Sequence, residues 1–218
     1  MDGVTTPAAP EPLEERLADR LGSRLGDRPS GRRATSLLRG LAHYDRAAYR
    51  VVAGMSTPLL DEPLRRASRF ANHSKPWFLV AAALALLGGP RGRRAALTGV
   101  AAIAVTSFAV NQPMKLAGGR RRPDRERLGV PRPRWVRMPM STSFPSGHSA
   151  SAAAFAVAVG DVVPPLRRPL RAAAAVVAFS RVYTGVHYPG DVIVGATVGA
   201  VLGRMTSTVA SRVRRRRR

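Results

Sequence analysis

The chain has 218 residues, which suits one domain, and 45% of them are hydrophobic although only 6% are aromatic. Its 36 Lys and Arg against 13 Asp and Glu leave a formal net charge of +23, which indicates an anionic partner. The absence of cysteine excludes disulfides, thiolate catalysis and cysteine-based zinc sites. Several long Ala/Val/Leu runs argue against nucleic acid as the partner and favour anionic lipid or a phosphorylated ligand.

Residues 1–42 are predicted to form a basic, Pro- and Arg-rich tail with little order. A leucine stripe at a spacing of four permits a short amphipathic helix, with a weakly ordered tail as the alternative; the stripe is Leu13, Leu17, Leu21 and Leu25. The tail lacks the apolar stretch of a cleavable signal peptide. An internal segment is therefore expected to direct entry into a membrane.

Residues 43–208 are predicted to form an all-α integral-membrane domain of about six helices. The apolar runs are 45–60, 76–87, 95–110, 149–163, 170–179 and 192–202. Each clean run is shorter than the ~20 residues that a straight crossing needs, so flanking residues must complete the crossings. A soluble helical bundle is the alternative. Segment 45–60 is only moderately apolar, and its crossing is left open.

Small residues and arginines predict how these helices pack and point. Gly195, Gly199 and Gly203 recur at a spacing of four, a pattern typical of closely packed helices. Three basic segments fall on one side of alternating crossings: 91–94, 167–171 and the polybasic C-terminal tail 209–218. The positive-inside rule makes that side cytoplasmic. The protein is therefore predicted to be a multi-pass protein of the cell (inner) membrane, with both tails in the cytoplasm.

The loop 111–148 is then placed on the outer face, although it carries nine positive charges: Lys115, Arg120, Arg121, Arg122, Arg125, Arg127, Arg132, Arg134 and Arg137. On charge alone this loop belongs inside the cell. The predicted topology therefore requires much of this charge to serve a site.

Three polar clusters lie at the ends of apolar runs on this outer side. They are Lys115 to Pro123, Phe144 to His148, and Ser180 to Asp191. Charged groups gathered at a membrane face are costly unless they pair with one another or bind a ligand. The simplest ligand for this set is a phosphate.

Removal of a phosphate needs cations, a nucleophile and an acid for the leaving oxygen. Arginine suits the cationic role through its rigid fork of donors, and histidine can form a covalent intermediate. A carboxylate can fix the histidine tautomer, and a second acid can protonate the leaving group. The candidates are the cations Lys115, Arg122 and Arg181, the nucleophile His187 with Asp191 four residues on, and the acid His148.

Ser146 and Gly147 precede the helical run that starts near residue 149, and their backbone N–H groups are expected to face an anion. Each candidate alone has a plainer interpretation. In that interpretation, the cations and histidines would be ordinary interfacial residues and Ser146 would be a helix N-cap. Asp191 would only complement a helix dipole. The order, spacing and shared side of all three clusters favour a site.

These motifs resemble the signature of the type 2 phosphatidic acid phosphatase superfamily. The signature consists of Lys-x6-Arg-Pro, Pro-Ser-Gly-His and Ser-Arg-x5-His-x3-Asp in that order, and every letter is present. The resemblance covers about residues 45–208. Residues 71–74 and 179–189 also resemble a phosphatase module that some actinobacterial proteins carry beside a lipid-kinase domain.

The resemblance implies six helices, an active site at the outer membrane face, and no metal or other cofactor. It implies that His187 is the nucleophile, that Asp191 orients it and that His148 protonates the leaving oxygen. It assigns phosphate binding to the remaining matched residues: Lys115, Arg122, Ser146, Gly147 and Arg181.

The expected function is hydrolysis of a lipid phosphate through a phosphohistidine. Phosphatidic acid, phosphatidylglycerol phosphate and polyprenyl phosphates or diphosphates are the expected substrates, in a bilayer that contains anionic lipids. Two alternatives remain open: a vanadate-dependent oxidase and a non-catalytic binder of lipid phosphate. The sequence does not indicate an oligomeric state, and no nucleic-acid partner is expected.

Overall fold

The computed structural model describes residue 19, residues 29–115 and residues 119–216. The described part contains seven α-helices and no strand. The helices are α1 (Pro29–Gly54), α2 (Pro58–Phe70), α3 (Lys75–Leu87), α4 (Gly89–Ala109), α5 (Gly147–Val162), α6 (Arg167–Tyr183) and α7 (Pro189–Arg216). Short helical turns lie at Asn72–Ser74, Val110–Met114, Arg132–Arg134 and Pro164–Leu166. The all-α prediction is confirmed.

The chain divides into two compact units, Met1–Ala47 and Ala48–Arg218. In the first unit, described residues 29–47 are helical, so the predicted boundary at residue 42 falls inside α1. The predicted leucine stripe at residues 13–25 lies outside the described residues, as do Arg217 and Arg218 at the end of the C-terminal tail. The second unit holds every candidate site residue.

The described residues form seven helices, where the sequence predicted about six, because segment 45–60 is not one continuous helix. Helix α1 ends at Gly54, residues 55–57 are non-helical, and α2 begins at Pro58. Proline suits the first turn of a helix because its missing N–H has no partner there in any case. Helix α2 is amphipathic and buries Leu64 and Ser68, whereas Leu59 is 91% exposed.

Helix α5 is the centre of the second unit and packs against α4, α6 and α7. Small side chains let these backbones come close, and ten of its 16 residues are buried. Phe155 is the large exception, and its ring lies 5.6 Å from that of Trp77 on α3. A Cβ added at Gly99 on α4 would lie 2.6 Å from this ring, so a glycine there makes room for it.

Helices α5 and α7 lie side by side and run in parallel. An added Cβ at Gly195, Gly199 or Gly203 would lie 2.0–2.5 Å from a carbonyl oxygen of α5 or its N-cap. The three contacted carbonyls belong to Ser146, Ala150 and Ala154, which repeat at the same spacing of four. The predicted small-residue seam is therefore confirmed, and it brings the N-terminal ends of both helices to the same end of the bundle.

Much of the positive charge of the loop 111–148 is used inside the protein. Arg120 and Arg134 are each 1% exposed. Arg134 donates from Nε to Asp61 at 2.7 Å and from Nη1 to the Val52 carbonyl at 3.2 Å, which ties the loop to the ends of α1 and α2. These two arginines are therefore held by contacts within the protein, and the topology itself stays a prediction.

Among the described residues, two helices are long and apolar enough to cross a membrane, by length and composition: Gly89–Met114 and Pro189–Arg216. The other helices of the second unit have 13 to 17 residues. The number of crossings and their orientation stay predictions.

We expect Gly199→Ala to destabilise the protein because the new methyl group would meet the Ala150 carbonyl at 2.0 Å. The cost should reach or exceed the upper end of the ~1–3 kcal/mol that overpacking usually costs. Thermal unfolding of the detergent-purified protein measures it. Gly54→Ala is the matched control, because nothing lies within 4 Å of an added Cβ there. Equal melting temperatures for both variants would contradict the seam.

Candidate active site

A cavity of about 200 Å³ lies where α4 ends and where α5 and α7 begin. Its walls include five of the predicted residues: Lys115, Arg122, Gly147, His148 and His187. Its volume is below the roughly 300–1,000 Å³ of pockets for drug-sized ligands, so it fits a headgroup rather than a whole lipid.

The connection from α6 to α7 delivers the nucleophile candidate to this cavity. Helix α6 ends at Tyr183, and Gly185 adopts a left-handed φ of 72°, which glycine tolerates because it has no Cβ. The backbone N–H of His187 then donates to the Arg181 carbonyl at 3.2 Å. Helix α7 begins at Pro189 and carries Asp191 in its first turn, directly beside His187.

His187 and Asp191 form the predicted pair. The imidazole is 2% exposed, and its Nδ1 lies 3.5 Å from Asp191 Oδ2. A carboxylate at this nitrogen favours the tautomer that carries a proton on Nδ1 and leaves a lone pair on Nε2. That arrangement suits a histidine that attacks phosphorus through Nε2.

Asp191 is fully buried and is held by three further donors. Arg120 Nη1 donates to Oδ1 at 2.8 Å, and the backbone N–H of Tyr188 donates to Oδ2 at 3.0 Å. The hydroxyl of Ser143 donates to Oδ2 as well. A buried carboxylate is tolerated when it is paired and hydrogen-bonded in this way. Its orientation toward His187 is therefore fixed.

Arg122 covers the other nitrogen of His187. Its Nη1 lies 3.2 Å from His187 Nε2 and donates to the Val186 carbonyl at 2.8 Å. Its Nε donates to the Ser141 carbonyl at 2.9 Å, so the guanidinium plane is held from two sides. Burial lowers the pKa of Arg122 to about 10, and the group remains charged at neutral pH.

The pKa of His187 is lowered to about 4, chiefly because its ring is buried. The hydrogen bond with Asp191 acts in the opposite direction, and the positive charge of Arg122 lowers the pKa further. At neutral pH the imidazole is therefore neutral, which is the form that has a lone pair for attack.

Lys115 reaches the same cavity from the end of α4. The turn Val110–Met114 extends that helix, and Lys115 Nζ donates to Ser141 Oγ at 3.1 Å. Arg122 Nη2 lies 3.3 Å from the same hydroxyl oxygen. Two cations thus converge on one point of the cavity wall. Residues 116–118, between the two cations in sequence, lie outside the described residues.

His148 lies in the first turn of α5, and its ring is in contact with a residue of the turn that follows α2. Its Nε2 lies 2.9 Å from Asn72 Oδ1, across 76 positions of sequence. Asn72 belongs to the short turn between α2 and α3, in which His73 and Ser74 have left-handed φ angles of 56° and 57°. Left-handed backbone is uncommon for residues other than glycine. Both residues, His73 and Ser74, form part of one wall of the cavity.

Arg181 lies behind the cavity and is 1% exposed. Its Nη1 donates to Ser68 of α2 twice, to the hydroxyl at 2.6 Å and to the carbonyl at 3.1 Å. Within the part of the chain that the structure describes, its buried Nε has no hydrogen-bond acceptor. An acceptor supplied by a bound anion would remove that deficit.

Ser146 and Gly147 differ in whether they line the cavity, and the backbone N–H of Ser146 already has an acceptor. The Ser146 N–H donates to the Asp191 carbonyl at 2.9 Å, and its hydroxyl caps α5 by accepting from the N–H of Ser149. Ser146 is fully buried and is absent from the cavity wall, whereas Gly147 lines it. Of the two predicted anion-facing amides, the Ser146 N–H is therefore already used.

Sequence reasoning missed several residues that hold the predicted ones in place: Ser68, Asn72, Arg120, Ser141 and Ser143. Arg120 belongs to the run Arg120–Arg122, in which the motif selected only the last arginine. Asn72 falls in the segment 71–74 that carried part of the family resemblance, which was its one signal. Nothing in the sequence distinguished the three serines from other polar residues.

The assembled geometry can bind a phosphate and attack it. Lys115 and Arg122 supply positive charge at the cavity wall, His187 supplies a neutral imidazole held by a fixed carboxylate, and a second imidazole stands across the cavity. Phosphoryl transfer to histidine needs a nucleophile and a separate acid, and the two imidazoles are the candidates for these roles.

Comparison with known proteins agrees with this geometry. The profile of the PAP2 superfamily matches residues 94–215. The decaprenylphosphoryl-5-phosphoribose phosphatase of Mycobacterium tuberculosis is 32% identical over 185 residues, which cover 77% of this chain and 93% of that protein. The lipid A 1-phosphatase of Rhizobium johnstonii is 41% identical over 70 residues, or 32% of this chain and 29% of that protein.

Among solved structures, the transmembrane PAP2-type phosphatidylglycerolphosphate phosphatase of Bacillus subtilis superposes with a TM-score of 0.63. The match covers 92% of this chain and 95% of that one at 18% identity, so it establishes a shared fold. The chain belongs to the PAP2 superfamily, as its three motifs indicated.

We expect Arg120→Ala to destabilise the fold by about 3–5 kcal/mol, because it leaves the Asp191 carboxylate buried without its cation. Thermal unfolding in detergent measures the loss. Adding Asp191→Asn should restore part of it, since the unpaired charge is then gone. The neighbouring, exposed Arg121→Ala should change stability by no more than about 0.5 kcal/mol. Similar losses for Arg120→Ala and Arg121→Ala would be inconsistent with the buried pair.

Proposed function

We propose that this protein is a membrane-embedded lipid phosphate phosphatase that forms a phosphohistidine on His187. The observation that carries the proposal is the pairing of a buried, neutral imidazole with a fixed carboxylate at one nitrogen and a cation at the other. A histidine with a purely structural role has no need for a cationic cavity in front of its free nitrogen.

The first step transfers the phosphoryl group from the lipid to the protein. The phosphate oxygens bind Lys115 and Arg122, and the lone pair of His187 Nε2 attacks phosphorus. The bond from phosphorus to the lipid oxygen breaks, and His148 gives its proton to that oxygen. The products of this step are a lipid alcohol and phosphohistidine, with the imidazole charge balanced by Asp191.

The second step returns the protein to its starting state. Neutral His148 takes a proton from a water molecule, whose oxygen attacks phosphorus. The bond between phosphorus and Nε2 breaks, and orthophosphate leaves. The metal independence expected from the sequence is part of this proposal, because His187 is the nucleophile and the cations are side chains.

The substrate we propose is a phosphomonoester carried by a polyprenyl-phosphate lipid or a related lipid phosphate. Support comes from the Mycobacterium tuberculosis relative, whose name gives a decaprenylphosphoryl phosphoribose as its substrate and which aligns over 93% of its own length. The cavity of about 200 Å³ agrees with this class, since it admits a phosphate and leaves the lipid outside.

Placement in a membrane explains the apolar outer surface of the helices. Large side chains point outward from α3, α4 and α7, among them Leu87 at 86%, Phe108 at 71% and Ile193 at 63% exposed. Exposed apolar area on this scale is unfavourable in water and normal in contact with lipid. We propose a multi-pass position in the cell membrane with the active site at the outer face.

The decisive experiment measures phosphate release by the detergent-purified protein from a panel of lipid phosphates, with EDTA present. The wild-type protein should release phosphate, and His187→Ala should release none. His148→Ala should lose a factor of roughly 10²–10⁴ on alkyl lipid phosphates, the usual cost of losing a general acid or base. Near-normal turnover by His187→Ala would refute the mechanism.

A second substrate distinguishes the proposed acid role of His148 from the proposed nucleophile role of His187. The leaving group of p-nitrophenyl phosphate departs without protonation, so His148→Ala should form the phosphoenzyme from it nearly as fast as wild type. His187→Ala should remain inactive on both substrates. Equal losses on both substrates for His148→Ala would exclude its role as the acid of the first step.

We also expect Asn72 to position His148, because its amide oxygen accepts from Nε2 and thereby leaves Nδ1 to exchange protons. Asn72→Ala should slow phosphoenzyme formation from alkyl lipid phosphates about tenfold, in line with one hydrogen bond of about 1–1.5 kcal/mol, and spare p-nitrophenyl phosphate. Asn72→Asp, which keeps an acceptor, should restore most of the rate. A loss that is equal for both substrates would make Asn72 merely structural.

A further inference from the structure

A second and larger cavity, of about 900 Å³, lies at the end of the bundle opposite the candidate active site. The N-terminal part of α4 and the C-terminal parts of α5 and α7 surround it. Residues from all three helices line it, among them Arg91, Arg94, Leu97, Asp161, Arg204 and Arg214. We call it the basic cavity.

The basic cavity is separate from the phosphate site. Helix α5 begins at the phosphate site and ends at the basic cavity, and its 16 residues at about 1.5 Å each span about 24 Å. That distance is close to the roughly 30 Å thickness of a bilayer's hydrocarbon core. In the proposed membrane position, the two sites therefore face opposite leaflets.

Positive charge in the basic cavity exceeds the negative charge that the protein supplies there. Four arginines line it, and Asp161 is the one carboxylate among the described lining residues. That carboxylate is already used: Arg204 Nη1 donates to Oδ1 and the Ser207 hydroxyl donates to Oδ2, each at 2.6 Å. Three arginines thus remain for an external anion.

The side chains of these arginines are partly anchored. Arg91 Nε donates to the Val162 carbonyl at the end of α5, at 2.9 Å, and Arg94 Nε donates to the Pro90 carbonyl at 3.3 Å. Both contacts use Nε and leave the outer nitrogens of the guanidinium for a ligand. An anchored fork of this kind is what recognition of a phosphate requires.

The position of Arg91 and Arg94 near the start of α4 is itself unfavourable. The N-terminus of a helix carries partial positive charge, which favours anions and disfavours cations, and the first turn of α4 contains no acidic residue. The positive-inside rule accounts for arginines between crossings, but it does not require them to converge with those of α7 on one cavity. A bound anion would neutralise both the arginines and the helix end.

Apolar side chains form about half of the remaining wall, and hydroxyl side chains form the other half: Thr98, Ser207, Thr208 and Ser211. Leu97, Ala210 and Val213 line the basic cavity beside the arginines, and Leu97 is 73% exposed. An inorganic anion gains nothing from the apolar part of this wall, whereas a lipid can place its acyl chains along it. Basic pockets between membrane helices on the cytoplasmic side are suited to acidic lipid headgroups.

We propose that the basic cavity binds the phosphate headgroup of an acidic phospholipid in the leaflet opposite the candidate active site. The assignment to a leaflet rests on the proposed membrane position, and the binding itself does not depend on phosphatase activity. The lipid would act as a structural ligand between α4, α5 and α7.

Native mass spectrometry of the detergent-purified full chain tests this site with dioleoyl phosphatidylglycerol and with dioleoyl phosphatidylcholine. The wild type should retain phosphatidylglycerol and little phosphatidylcholine. The triple variant Arg91→Gln/Arg94→Gln/Arg214→Gln should retain at least tenfold less phosphatidylglycerol. The matched control Arg168→Gln/Arg212→Gln/Arg215→Gln removes the same charge from exposed positions that do not line the cavity, and it should bind like wild type.

Equal losses in the two triple variants would overturn the proposal, because binding would then follow total charge. Displacement of phosphatidylglycerol by millimolar inorganic phosphate or by an oligonucleotide at the same charge concentration would overturn the choice of a lipid. Phosphatase activity is measured on the same samples. The cavity variant should keep wild-type turnover in detergent, which shows that it is folded and separates failure of this site from failure of the proposed function.

Discussion

The ion pair between Arg120 and Asp191 joins the long loop before α5 to the first turn of α7, and the arrangement of the active site depends on it. Both side chains are almost completely buried, so each is costly without the other. Because Asp191 also faces His187, the group that stabilises the fold is the group that sets the histidine tautomer. Ser143 and the Tyr188 N–H complete the carboxylate's partners and leave it one orientation.

The parallel packing of α5 and α7 places this pair where it is needed. Glycines in α7 let its backbone touch the backbone of α5, and Gly195, in the second turn of α7, lies beside Ser146, the N-cap of α5. The Ser146 N–H can then reach the Asp191 carbonyl directly. The start of α5, with Gly147 and His148, and the start of α7, with Asp191, are in this way fixed to each other by backbone contacts rather than by flexible side chains.

The sequence was sufficient for those parts of the site that are local in the chain. The spacing of four between His187 and Asp191, the position of Gly147 and His148 at the start of a small-residue run, and the glycine seam all follow from short patterns. What could not be predicted depends on contacts between distant segments. Arg120 is buried and Arg121 is exposed because of tertiary packing, and no property of two adjacent arginines distinguishes them. Asn72 contacts His148 across 76 positions of sequence. The composition of segment 45–60 is apolar on both sides of Pro58 and gave no signal that the helix ends before that residue.

The contact between Arg122 and His187 has a consequence for selectivity. The guanidinium points at the nitrogen that would attack phosphorus in the proposed mechanism. An incoming group must draw that guanidinium toward itself before the lone pair is free, and only an anion does so favourably. Neutral electrophiles, such as the acyl esters of lipids in the proposed membrane position, have no means of displacing it. In the proposed mechanism, the charge of the substrate is therefore a condition for exposure of the nucleophile, and a neutral histidine could lie among acyl esters without reacting with them.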